Sequence, residues 1–348
     1  VILCTNEGDL TFRLTGSADA SCGGITGGNF LLTSPTVTGC ANKGNLYATS
    51  TSASLRGIAL GGIAGETSDK TVINGCMNEG SVKSEFTRTQ YSFNRVETGG
   101  IVADNNGTVI SCGNEGEVST LGSKEYETMA VSGGISGDNA GQIINCYNAA
   151  TVTCNGNQGF SPSVYNNAGG IVGYSAHSSY GFDHPYIYGS YNTGAVTSDV
   201  SDATLGSIVG QCDPGTDDPA TEIRRSYYNA PSDLPSIGDD PHQQADNIIG
   251  VVNMKGADFC EDLNQDAKAY NDTTQSVQAL PWVGHTNDYP TLRQPSEVLC
   301  SSTNYFTADF VLLSPEENAS TEGLYLRYKE ASATEYTEVA WGTATTLQ

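Results

Sequence analysis

Positive charge is what this chain has least of. Against 39 Asp and Glu stand 15 Lys and Arg, a formal net charge of −24 over 348 residues. A phosphate backbone needs a basic face, so this balance argues against a nucleic-acid partner and against adsorption to an anionic membrane surface. A soluble, self-repelling exterior is the use such charge has. Long apolar runs are missing too: none approaches the ~20 residues of a membrane span. No leader segment opens the sequence, but Val1 falls in the middle of a repeat, so secretion is not excluded. Histidine is sparse, and none of His177, His184, His242 and His285 lies in a His-Glu-x-x-His pair. Cys-x-x-Cys, Gly-x-Ser-x-Gly and phosphate-loop signatures are absent as well. His184 follows Asp183 and His242 follows Asp239-Asp240-Pro241, neighbours that read as turn chemistry rather than as ligand sets.

What is abundant is one phrase. It runs Gly99-Gly100-Ile101-Val102-Ala103-Asp104, then Thr108-Val109-Ile110-Ser111-Cys112, then Gly113-Asn114-Glu115-Gly116-Glu117-Val118, and it returns along the chain. The pivots Cys4, Cys40, Cys76, Cys112, Cys146, Ser190 and Ser226 are spaced by 36, 36, 36, 34, 44 and 36 residues. Three residues before each pivot stands a β-branched aliphatic (Val1, Val37, Ile73, Val109, Ile143, Ile187, Ile223). Six after it stands Leu10, Leu46, Val82, Val118, Val152 or Val196. Between them most copies read Asn-x-Gly, the residues that accept positive φ cheaply and so mark corners.

Fixed-period self-similarity without helical periodicity predicts an all-β solenoid, a parallel β-helix of three short strands per rung, over residues 1–230. At ~4.8 Å per rung, six to seven rungs make a rod roughly 30 Å long. Like residues then stack: a Cys/Ser ladder, an aliphatic ladder, and an Asn ladder whose amides hydrogen-bond from rung to rung. The aliphatic and the Cys are three apart, which a regular strand would point to opposite faces, so either a bulge intervenes or one ladder faces out.

Gly at 41 and Tyr at 18 against 9 Phe fit a turn-dense β protein. Of 10 cysteines, five form the ladder; because Ser190 and Ser226 take the same place, the position reads as a small buried residue, with a bonded ladder as the alternative. Reduced thiols in an exported protein would suit an anaerobic habitat. Cys260 and Cys300 lie apart from the ladder, and their pairing stays open.

Past Ala230 the period is lost. Residues 231–294 are expected to cap the open stack, with a short helix around Phe259 and Leu263 and a Trp282-bearing strand. Residues 295–348 read as part of a fibronectin- or immunoglobulin-like sandwich, with strands at 307–312, 323–329 and 336–341. Both ends of the sequence thus fall inside structural units, as expected of part of a longer polypeptide or assembly.

Repeat lengths differ through inserts that follow the third strand, and one insert, 174–186, falls between the first and second. Such inserts project from an edge and carry aromatic and cationic side chains suited to a ligand: Arg88, Tyr91, Phe93, Tyr126, Tyr165, Tyr180 and Phe182. The alternative is that these rings cover the apolar rim. The corner acids Glu7, Glu79 and Glu115 make a column read either as a solvated stripe or as a Ca²⁺ site; no other metal, cofactor or catalytic set is expected.

The wording Gly-Gly-Ile-Val-Gly … Asn-Cys-Tyr-Asn-x-Gly-x-Val resembles the GLUG repeat of bacterial surface proteins, over residues 23–230. The series Met254-Lys255, Phe259, Leu263-Asn264, Trp282 and Tyr289-Pro290-Thr291-Leu292 is similar to the terminator that follows such repeats in gut Bacteroidetes and Firmicutes. Ala149-Ala150 in place of x-Gly and the two pivot serines depart from the pattern. The resemblance implies an extracellular, cell-surface, adhesin-like module with no catalytic residue of its own, and a host or bacterial glycan or protein as its partner. Two other readings stand beside it: a carbohydrate-active β-helix lyase or hydrolase, and the subunit of a head-to-tail filament.

Overall fold

A computed structural model describes residues 1–28, 35–50, 52, 55–86, 94–123, 128–156, 166–176, 184–213, 221–273 and 277–293, together with the backbone of two later strands. The chain forms two compact units, Val1–Arg293 and Gln294–Gln348.

The first unit is a parallel β-solenoid of about five complete turns. One rung comprises strands Asn94–Gly99, Val102–Asn105, Thr108–Ile110, Gly113–Asn114 and Val118–Leu121. Equivalent strands stack into five parallel sheets, one of eight strands and four of six. Register follows the repeat: Val82, Val118, Val152 and Val196 pair in succession. Where three strands per rung were predicted there are five, because two of the expected strands are broken. The first breaks at Gly100-Ile101 and the second at Ser111.

The break at Ser111 answers the question of facing. The residue before every pivot is left-handed: Leu3, Gly39, Gly75, Ser111, Asn145, Gly189 and Arg225 all have φ between 50° and 63°. One such residue turns the chain sharply enough that Val109 and Cys112, three apart, both enter the lumen. There the stacked aliphatics Val37, Ile73, Val109, Ile143, Ile187 and Ile223 join the thiols of Cys40, Cys76, Cys112 and Cys146 in one core. Each fully buried Val or Ile contributes roughly 1.5–3 kcal/mol relative to exposure.

Polar ladders hold the register. The Nδ2 of Asn6, Asn42, Asn78, Asn114 and Asn148 each donates to the Oδ1 of the next asparagine at 2.7–2.8 Å, ending on Asn192. The second Gly of each Gly-Gly pair lies against this ladder: a Cβ on Gly100 would meet Gly134 O at 2.1 Å and Asn114 Cγ at 2.4 Å. The sulfurs also act across rungs. The backbone N–H of Cys4, Cys40, Cys76 and Cys112 donates to the next Sγ at 3.4 Å, and that of Cys146 to Ser190 Oγ at 3.1 Å. Serine therefore serves where cysteine does, and the nine described cysteines are all free. Cys300 lies outside the described residues, so the Cys260–Cys300 question does too.

The segment expected to cap the stack does two separate things. Ile237–Asp239 and Ile248–Val251 extend two sheets by one more strand, and Ala245, in the 3-10 turn between them, packs against the lumen core. The helix Ala257–Thr273 and the hairpin Trp282–His285/Asp288–Leu292 instead lie along the outer side of the stack. They cover Ile110, Ile144, Tyr147, Tyr188, Tyr191 and Tyr227, which come from four successive rungs. No helix among the described residues is long and apolar enough to cross a membrane. In the second unit Tyr325–Tyr328 pairs antiparallel with Thr337–Ala340, two of the three strands expected there. The third, at 307–312, lies outside the described residues.

Candidate functional site

The strands fix where the predicted ligand loops leave the rod. Connections from the fifth strand of one rung to the first of the next run from Phe86 to Asn94, Leu121 to Thr128 and Asn155 to Asn166. Arg88, Tyr91, Phe93, Tyr126 and Tyr165 belong to these connections. Tyr180 and Phe182 belong to the connection from Ser175 to Tyr186, which joins a second strand to a third. The topology thus groups five of the candidates and separates two. All seven residues lie outside the described ones.

The acidic corner column is interrupted. Lys43 holds the rung between Glu7 and Glu79, its N–H bonded to Asn6 O just as that of Glu79 is to Asn42 O. Only Glu79 and Glu115 adjoin, and Glu115 accepts the Tyr147 hydroxyl at 2.7 Å. The three glutamates therefore do not converge as expected, and no group of three or more metal-capable side chains occurs among the described residues. Of the histidines, His242 Nε2 sits 2.8 Å from Asp213 O and His285 Nε2 2.7 Å from Thr291 Oγ1. His184 borders an open cleft of about 510 Å³ with Glu222, Arg224 and Gln244.

A different cluster carries the most perturbed charges. Glu66, Asp104 and Asp138 are register partners on the second strands of three successive rungs. From the first strand, Arg95 pairs its guanidinium with both Glu97 and Asp138. Asn106 Nδ2 donates to Asp104 Oδ1 at 2.9 Å. Glu97 is 5 % exposed and Asp138 8 %. Burial pushes the Glu97 carboxyl up to about 8; Arg95 opposes this, while Asp104 and Glu66 add to it. Burial likewise raises Asp104 against the pull of Arg95, and raises Glu66 with help from Asp104 and Asp19. The guanidinium itself is raised, because Glu97, Asp104 and Tyr174 outweigh the cost of its burial. Sequence reading missed this group, although a signal was present: the fourth residue after the second glycine of three successive pairs (Gly62, Gly100 and Gly134) is an acid, Glu66, Asp104 and Asp138.

No family model, curated protein or solved structure matches this chain. The cluster gathers carboxyl groups around one fixed cation, its own arginine. The remaining concentration of reactive side chains, the thiol column, is sealed in the lumen, where burial holds Cys76 and Cys112 far above the ordinary thiol range.

Proposed function

We propose that this chain is a non-enzymatic display module, a rigid segment of a larger exported bacterial surface protein of the GLUG-repeat kind. Its loops offer an adhesive edge to a surface glycan or protein. The observation that supports this most directly is the contrast between rungs and connections. Six connections between fifth and first strands, of five to ten residues each, leave from one edge, while the strands beneath stay in exact register. A scaffold that tolerates length change at one edge without shifting its ladders suits the presentation of variable loops. The acidic surface keeps such a rod from adsorbing to nucleic acid or to anionic lipid.

The test is a glycan and protein array probed with the whole chain, followed by the triple variant Arg88→Ala, Tyr91→Ala, Phe93→Ala. Binding that falls at least tenfold in the variant, with the melting temperature kept, supports the reading. Binding unchanged in every edge variant overturns the assignment of the edge. One observation favours the carbohydrate-cleaving alternative: a buried glutamic acid raised towards neutrality beside further carboxylates. Depolymerisation of a polysaccharide by the purified chain, lost in Glu97→Gln, would replace the display reading.

A further inference from the structure

We propose that the cluster around Arg95 is a proton-locked clasp: a proton shared among its carboxyl groups binds three successive rungs together, and losing it as the medium turns alkaline loosens them. The geometry sets up the demand. Glu66 belongs to one rung, Arg95, Glu97 and Asp104 to the next, and Asp138 to the third. With every acid ionised, four carboxylates would face one guanidinium, a local excess of three negative charges. Glu97 and Asp138 are almost closed off from water, where unpaired charge is most costly. One retained proton lowers that excess and leaves Arg95 free to bridge Glu97 and Asp138, which lie on different rungs.

Among the described residues, the groups facing the cluster are few. Arg95 and Glu97 come from the first-strand sheet, where their register neighbours on the flanking rungs, Gly57, Ala59, Met129 and Val131, are neutral. Glu66, Asp104, Asp138 and then Tyr174 come from the second-strand sheet, and Asp19 acts on Glu66. The sign follows from the direction of the shift. Glu97 titrates near 4.5 in an unfolded chain and at about 8 here, so the folded form holds the extra proton between those values. Its contribution is complete below about pH 4.5 and is lost as pH rises through 8, the reverse of an ordinary ion-paired surface carboxylate. In that window the folding equilibrium weakens by up to about tenfold per pH unit for one extra bound proton.

The experiment is a series of thermal melts of the whole chain from pH 5 to pH 9, with Glu97→Gln and Glu79→Gln alongside. Both variants replace one ionisable carboxyl by an amide, but Glu79 is exposed and lies outside the cluster. The clasp predicts that the melting temperature of the native chain falls across the window. Glu97→Gln should flatten that fall and be the more stable form at pH 9, while Glu79→Gln keeps the native slope. Equal slopes for Glu97→Gln and the native chain overturn the proposal, because general relief of the −24 charge would then explain the trend. Should Glu97→Gln fold poorly, carbonyl-carbon NMR of glutamate-labelled native chain decides. A Glu97 midpoint above 7 supports the clasp, and one near 4.5 sinks it.

Discussion

In the lumen Val37, Ile73, Val109, Ile143, Ile187 and Ile223 repeat one residue type on itself, whereas the outer flank sets Tyr147 and Tyr191 against Phe259 and Trp282, which belong to no repeat. Both regions are dry, but they are closed by different means. The lumen needs only that each rung present the same small or aliphatic group at the same column. The flank is a fitted surface. Tyr147 stacks on Tyr191 at 5.5 Å between centroids, and Trp282 meets both. Gly113 makes room for this, since a Cβ there would stand 2.2 Å from the Tyr147 ring.

The left-handed corner shows the two regions trading roles at a single column. Gly39, Gly75 and Gly189 adopt positive φ without strain, while a side chain at that φ costs roughly 1 kcal/mol or more. Three of the exceptions are used. Ser111 Oγ accepts the Leu280 N–H at 2.8 Å. Asn145 donates to Leu280 O at 2.8 Å and accepts Trp282 Nε1 at 2.6 Å. Arg225 donates to Asp266 at 2.5 Å, and Tyr227 donates to the same carboxylate. Strain at these corners is thus offset by holding the helix and hairpin, and at Gly189 the helix passes with Asp266 Cβ 3.8 Å from where a Cβ would sit.

The largest expected effect separates the regions outright. Trp282→Ala removes a 4 % exposed indole, at a cost of about 3–5 kcal/mol. If the flank depends on the lumen but not the reverse, near-ultraviolet circular dichroism of the aromatics is lost at low denaturant while the far-ultraviolet β signal persists. A single coincident transition would show that the lumen cannot stand without its flank. Next comes Asn114→Ala, which leaves the buried Asn78 Nδ2 with Gly80 O alone and the buried Asn148 Oδ1 with only the long bond from the Ala150 N–H. A loss of about 2–4 kcal/mol by calorimetry is expected, with the aromatic signal melting together with the β signal, because this cut goes through the rungs themselves.

Repetition also decided what could be read from residues alone. The lumen ladders, their register and the Asn corners were legible because one chemistry returns at one offset. The five-strand rung was not, because its corner position carries Leu, Gly, Ser, Asn and Arg in turn, and only their shared φ unites them. The flank was hidden for another reason. Trp282 and Asn145 lie 137 residues apart, and no pattern in either stretch names the other. The Arg95 clasp stood between these cases. Its acid column was visible in the offset from Gly-Gly, but the arginine that gathers it comes from a neighbouring sheet.

At the corner column the exchange can be run both ways. Asn145→Gly relieves the left-handed strain but loses three bonds, to Leu280, Trp282 and Ser111, for a net loss of about 1–2 kcal/mol in chemical denaturation. Gly75→Ala adds strain with nothing to hold, and about 1 kcal/mol is expected from φ alone. The distinction lies in the aromatic signal, which Asn145→Gly weakens before global unfolding and Gly75→Ala does not.

The smallest effect belongs to the sulfur column. In Cys112→Ser the hydroxyl takes over the Cys76 N–H that the thiol accepts, as Ser190 already accepts that of Cys146, so no more than about 1 kcal/mol should be lost. The stronger statement concerns access. Cys4 is exposed, whereas Cys40, Cys76, Cys112 and Cys146 are buried. Native alkylation at pH 8 followed by peptide mass spectrometry should label Cys4 within minutes and those four only at the rate of global unfolding. Rapid labelling of Cys112 would mean that the rungs part locally, and the ladder would then be a hinge rather than a spine.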